Sequence, residues 1–136
     1  MKKIILFLCL ILSSFFITGC SKEEPVIAFS KTPFSKEEGY NLSNTFKAGE
    51  KIYFAVYNPD EFKTRLLKLQ VFKKDAEKSE FWGYEHLYNK TLELNNKKTF
   101  SDFVIINNKG HYVFQIFDFT DFHKPIVIGV IKVEQD

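Results

Sequence analysis

Asn107-Asn108-Lys109-Gly110-His111-Tyr112-Val113-Phe114-Gln115-Ile116-Phe117 is a turn followed at once by an alternating run. Asn-Asn-Lys-Gly supplies the residue types that tolerate a tight backbone reversal. From Tyr112 the side chains divide by parity. Tyr112, Phe114 and Ile116 share one face, and Val113, Gln115 and Phe117 the other. A period of two marks a strand, because successive side chains point to opposite sides of a sheet. The stretch predicts a turn over 107–110 and a strand over Tyr112 to Phe117.

The same pattern recurs outward in both directions. Lys51 to Tyr57 sets Ile52, Phe54 and Val56 against Tyr53, Ala55 and Tyr57, and Asn58-Pro59 ends it. Leu66 to Phe72 alternates Leu67, Leu69 and Val71 with Lys68 and Gln70. Thr99 to Ile106 places Phe100, Val104 and Ile106 opposite Phe103 and Ile105. Val26 to Ser30, Thr91 to Leu94 and Ile126 to Val133 read as further strands, the last apolar on both faces up to Val130. Phe81 to Tyr88 reads as an irregular strand with Gly83 as a bulge. Lys36 to Asn44, Lys73 to Ser79 and Asp118 to Lys124 read as loops, with Phe34 and Tyr40 packing down and a turn at Gly49-Glu50. No stretch carries a 3.6-residue stripe. About seven to nine short antiparallel strands with turn residues between them predict an all-β sandwich or barrel.

One local pattern selects among these. Asn108-Lys109-Gly110-His111-Tyr112-Val113-Phe114 resembles the immunoglobulin-type run Asp-x-Gly-x-Tyr-x-Cys that leads into the sixth strand. Asn108 stands for the aspartate and Phe114 for the disulfide cysteine. The resemblance implies that the Tyr112 hydroxyl bonds back to the preceding turn. It also implies that Phe54 faces Phe114 where the bridge would be. Leu66–Phe72 carries no tryptophan, so a fibronectin-like sandwich fits equally.

The N-terminus supplies an address. Lys2 and Lys3 precede the uncharged run Ile4 to Ile17, whose 14 residues cover about 21 Å as a helix, short of a ~30 Å hydrocarbon core. A charged start, an apolar middle and small residues at the end compose a secretory signal. Ile17-Thr18-Gly19-Cys20 resembles the lipobox of bacterial lipoproteins. That resemblance implies a diacylglyceryl thioether with palmitate-type chains at Cys20, and cleavage before it. Two acyl chains suffice for stable anchoring. The expected organisation is a signal peptide over 1–19, a lipidated tether over 20–25 and a β-sandwich over 26–136. The expected location is a bacterial cell envelope, at the outer membrane where the cell has two.

Composition then narrows function. Removing 19 residues from 136 leaves 117, with 17 basic and 17 acidic side chains, since both lysines of the leader go with it. A neutral domain lacks the basic face that nucleic acid requires, so no nucleic-acid partner is expected. With Cys9 removed and Cys20 acylated no thiol remains for a disulfide, so the core must stand alone. Thirteen of sixteen phenylalanines fall in the mature part.

No phosphate loop, nucleophile elbow or zinc spacing occurs, and His86, His111 and His123 stand apart. No catalytic residue and no cofactor are assigned, and an enzyme is not expected. Asp60 and Glu61 in one loop, and Asp118, Asp121 and His123 in another, are candidate ligands for a hard cation if the loops share one end. Two polar loops facing solvent are the plainer reading. Phe117, Phe119 and Phe122, with Tyr53 and Tyr57, are candidate contact residues, since aromatics are enriched at binding surfaces; capping of the core competes for the three phenylalanines. The expected function is a non-catalytic binding or scaffold module for a protein or surface polymer, held at the membrane through Cys20. The alternative is a β-barrel-like carrier of a small apolar ligand.

Overall fold

In the computed structural model the described residues are 19, 21–34, 40–74, 84–94 and 96–135, with backbone alone over 84–88. Residues 1–18, Cys20 and Gly83 lie outside them, and so do parts of the expected loops at 36–44 and 73–79.

Eight strands form in chain order: β1 (Val26–Ser30), β2 (Thr45–Lys47), β3 (Lys51–Tyr57), β4 (Leu66–Lys74), β5 (Tyr84–Glu93), β6 (Thr99–Ile105), β7 (Gly110–Asp118) and β8 (Val127–Glu134). They pair into a three-stranded sheet, β1-β3-β6, and a five-stranded sheet, β2-β8-β7-β4-β5. The two sheets pack face to face as an immunoglobulin-like β-sandwich. Among the described residues the strands form two separate sheets and do not close into a barrel.

Alternation decides what lies between the sheets. Ile52, Phe54 and Val56 of β3 face Leu67, Leu69 and Val71 of β4 and Tyr112, Phe114 and Ile116 of β7, all buried. Each such side chain stabilises the fold by about 1.5–3 kcal/mol relative to exposure. The rings of Phe54 and Phe114 lie 5.9 Å apart, where the resemblance places a disulfide. Phe29 of β1 adds a third ring, edge-on to Phe114 at 5.0 Å. The Tyr112 side chain is fully buried, and its hydroxyl donates to the carbonyl of Asn108 at 2.7 Å. The tyrosine corner implied by the sequence is therefore present.

The sheets approach closely along β8. Gly129 faces inward, and a Cβ there would fall 2.6 Å from Phe29 Cε2 and 2.7 Å from Ile27 Cγ2. At the opposite side, edge strands β5 and β6 are joined by a charge pair. Lys90 and Asp102 occupy inward positions opposite Leu69 and Phe54, and their charged atoms meet at 2.7 Å. That pair explains why the alternation of β6 is interrupted between Phe100 and Val104. Inward charges on edge strands also oppose pairing with another chain.

Several expectations are corrected. β2 is absent from the sequence reading, because three residues with one apolar side chain, Phe46, show no alternation. It pairs in parallel with β8, so the sandwich is not wholly antiparallel. β5 is one strand across the two stretches expected as separate pieces. Its irregularity lies in a register shift opposite Val71/Phe72. Lys73 and Lys74, expected in a loop, continue β4 between β5 and β7. Gly110, at φ 153°, leaves room for the Lys73 stem, since a Cβ would fall 2.9 Å from Lys73 Cε. Asp118 ends β7 rather than opening a loop. Tyr40 does not pack down: its ring touches Phe34 at 5.2 Å but remains exposed.

Candidate functional site

With the core filled, chemistry is left to the surface. Two regions gather the residues singled out by sequence. The first is the outer face of the β1-β3-β6 sheet. Pairing aligns three outward rows: Val26, Tyr57 and Thr99; Ala28, Ala55 and Ser101; Ser30, Tyr53 and Phe103. The middle row is small, so a shallow trough runs across the sheet between Tyr57 and the Tyr53–Phe103 pair. Tyr53 and Tyr57 are four residues apart, about 13 Å along the strand. The Tyr53 and Phe103 rings lie 5.7 Å apart, and Lys51 Nζ sits 4.7 Å from the Phe103 centroid. Beside them an open cleft of about 270 Å³ is lined by Pro33, Phe34, Tyr53, Ser101, Asp102 and Phe103. Ser30 is kept from solvent by the returning chain; its hydroxyl donates to the Asn41 carbonyl at 3.0 Å. This face offers apolar rings, hydroxyls and one ammonium to a flat or extended partner.

Sequence reasoning found Tyr53 and Tyr57 but missed Phe103, Phe34 and Ser101. The opposed facing of Phe103 and Phe100 was legible. The register that sets Phe103 beside Tyr53 was not.

The second region is the end of the sandwich where residues 58–65 and 118–126 meet. Asn58 organises the first loop. Its amide donates to the Lys98 carbonyl at 2.8 Å and its side-chain nitrogen to the Glu61 carbonyl at 3.1 Å. Glu61 takes a left-handed φ of 63° within this turn. Asp118 organises the second. Its Oδ1 accepts from the Thr120 hydroxyl at 2.6 Å, the Thr120 amide at 2.9 Å and the Thr64 hydroxyl at 3.2 Å. Burial pushes the Asp118 carboxyl upward, but hydrogen bonds from Thr120 and Thr64, with the Lys63 charge, hold it below its ordinary value.

The loops do share one end, as the cation reading required. Asp60, Glu61, Asp118 and Asp121 line an open cleft of about 440 Å³ together with Lys63 and Lys124. Three of the four have an oxygen already engaged. Asp118 Oδ1 holds three donors, Asp60 pairs with Lys22 at 3.0 Å, and Asp121 Oδ1 accepts the His123 amide at 2.9 Å. Among the described residues no group of three or more acidic, histidine or cysteine side chains is placed to hold a metal ion. A third cleft, of about 520 Å³, is lined by Phe62 and Leu94 and by the charged residues Glu61, Lys63, Arg65 and Lys97. An open wall with four charged residues does not suit a wholly apolar ligand.

The three phenylalanines separate. Phe117 is buried and belongs to the fold. Phe119 and Phe122 are 42% and 48% exposed. Phe122 stands edge-on to Phe117 at 6.3 Å and to Phe119 at 5.7 Å, and Lys68 Nζ lies 4.5 Å over its ring. On the outer side of β8, Ile128 and Val130 are also exposed. The double apolarity of the last strand thus leaves one face uncovered among the described residues.

Compared with protein-family models and with curated proteins, the chain matches none. Among solved structures it is similar to the CARDB domain of a Pyrococcus furiosus protein, determined in complex with di-metal ions. That similarity is 13% in sequence over 85% of this chain and 96% of the other, with a TM-score of 0.40. A likeness at that level says nothing about what this chain binds.

Proposed function

We propose that the protein is a lipid-anchored component of a bacterial envelope. Its sandwich acts without turnover as a binding or scaffold module for an envelope protein or surface polymer. The observation that carries the reading is the aromatic outer face of β1-β3-β6: Tyr53, Tyr57 and Phe103 stand outside a core that is already filled. Rings placed there add nothing to the packing between the sheets. They suit contact with apolar faces of an extended partner, with Ser101 and Thr99 as hydroxyl neighbours. Ile17-Thr18-Gly19-Cys20 supports the anchor. The carrier alternative loses support, because the sandwich interior is occupied by fully buried side chains and the large end cleft has a charged wall.

The test is retention of envelope material by the immobilised mature chain, with wild type compared to a Tyr53→Ala/Phe103→Ala variant. Detergent-solubilised membranes and purified wall polymer are the two inputs. Retention of a defined component by wild type, lost in the variant, is expected. Equal retention by both proteins would refute this face as the binding surface.

A further inference from the structure

The chain enters the sandwich at the same end that carries Phe119 and Phe122. Pro25, the residue before β1, lines the cleft with Asp118, Asp121 and Lys124, and Lys22 is paired to Asp60 at 3.0 Å. Phe119 and Thr120 form the tip of the tight turn closed by the Asp121 amide on the Asp118 carbonyl, at 3.1 Å. The exposed rings project from the corner where this end meets the outer side of β4 and β7, beside Leu66 and Lys68.

We infer that this end seats on the bilayer surface, with Phe119 and Phe122 inserted at the lipid–water interface. The inference rests on the lipid-anchor reading above and specifies the orientation it imposes. Six residues, Cys20 to Pro25, join the acylated sulfur to β1. Fully extended they reach about 20 Å, and the Lys22–Asp60 pair folds part of that length back onto the domain. The end of the sandwich is thereby held within the tether's reach of the headgroups, and its most exposed aromatic side chains are the first groups to meet them. Aromatic rings favour that interfacial zone, where one side is apolar and the other wet.

The surrounding charge does not oppose the contact. Asp60 is paired with Lys22 and Glu93 with Arg65 at 3.5 Å. Lys63, Lys68, Lys97, Lys98 and Lys124 then stand against Glu23, Glu24, Glu61, Asp121 and the still ionised Asp118, which leaves the end close to neutral. Insertion is therefore driven by the rings rather than by anionic lipid. In this orientation the aromatic face of β1-β3-β6 stands to the side of the anchored end, open to a partner.

The experiment uses full-length protein, processed in its own export pathway and reconstituted in vesicles of phosphatidylcholine and phosphatidylglycerol. An acylated Cys20 leaves no free thiol, so a nitroxide can be attached at Phe119→Cys. Phe122→Cys is a second position, in case one substitution disturbs the turn, and Lys109→Cys at the opposite end of the sandwich is the control. Paramagnetic relaxation by oxygen, which partitions into lipid, is compared with relaxation by a water-soluble nickel chelate. Labels at 119 and 122 should be relaxed by oxygen and shielded from nickel, and the label at 109 the reverse. A lipidated protein whose 119 and 122 labels are as accessible to nickel as the one at 109 would overturn the orientation alone, leaving the patch to a protein partner. A Cys20 shown by mass spectrometry to carry no acyl chain would overturn the anchor itself, and the orientation with it.

Discussion

Replacing Gly129 by alanine should destabilise the domain, although it adds one methyl group to a β-strand. Gly129 lies on the inner side of β8, opposite Phe114 of β7, and its backbone is in van der Waals reach of β1 across the sandwich. The added Cβ would stand 2.6 and 2.7 Å from two atoms of the Phe29 ring and 2.7 Å from a methyl of Ile27. Carbon atoms prefer about 3.5–4.0 Å, so three contacts are each short by about 1 Å. The Phe29 ring cannot simply retreat. It is buried, and it is fixed edge-on against Phe114 at 5.0 Å, which itself meets Phe54. Relief requires the two sheets to part along β1 and β8.

Overpacking of this kind costs about 1–3 kcal/mol. The loss of glycine's freedom in the unfolded chain offsets about 0.5–1 kcal/mol of that. A net destabilisation of about 1–2 kcal/mol is expected, read as a lower urea midpoint at unchanged slope for the chain from Ser21 onward. Phe29→Leu in the same chain should recover part of the loss, because the two changes share one contact. An alanine variant as stable as wild type, or more so, would refute the claim that this glycine sets the spacing of the sheets.

Further outcomes follow from single contacts. Tyr112→Phe should cost about 0.5–1.5 kcal/mol through the lost bond to the Asn108 carbonyl, and an unmoved denaturation midpoint would argue against the corner. Asp118 titrates below its ordinary value in the folded state, so its contribution is fully present above the unfolded pKa and disappears as pH falls through the folded one. Wild type should therefore lose stability below about pH 4 more steeply than Asp118→Asn, and parallel curves for the two would count against the Thr64–Asp118–Thr120 tie. A double-mutant cycle on Lys90 and Asp102 should give a coupling of about 1 kcal/mol, between that of exposed and buried pairs. Zero coupling would remove this pair from the account of how the β5–β6 edge is closed.

The sandwich was legible because its evidence is local. Parity along Lys51–Tyr57 and Tyr112–Phe117 places six inward residues correctly, and the Asn108–Phe114 run implies a hydroxyl contact that the fold contains. What escaped depends on register. Nothing in Thr45-Phe46-Lys47 announces a strand, because its reason to exist is the edge of β8 beside it. Asp102 breaks an apolar alternation, and only the approach of Lys90 from the other sheet explains why. The same holds for the candidate sites. The two carboxylate loops share one end, the condition that the cation reading set, yet the partners of their oxygens, Lys22 and Thr64, lie far off in sequence. Tyr53 and Tyr57 were identifiable as outward rings, whereas the Phe103 that completes their face required the β3–β6 pairing.

The proposed anchor is a lipid on the sulfur of Cys20, which would hold this β-sandwich at an envelope membrane. Mass spectrometry of the N-terminal peptide from membrane-extracted protein tests it most directly. The expected product is a chain that begins at Cys20 and carries a diacylglyceryl thioether. A chain that retains residues 1–19, or begins at Cys20 with a free thiol, would contradict it.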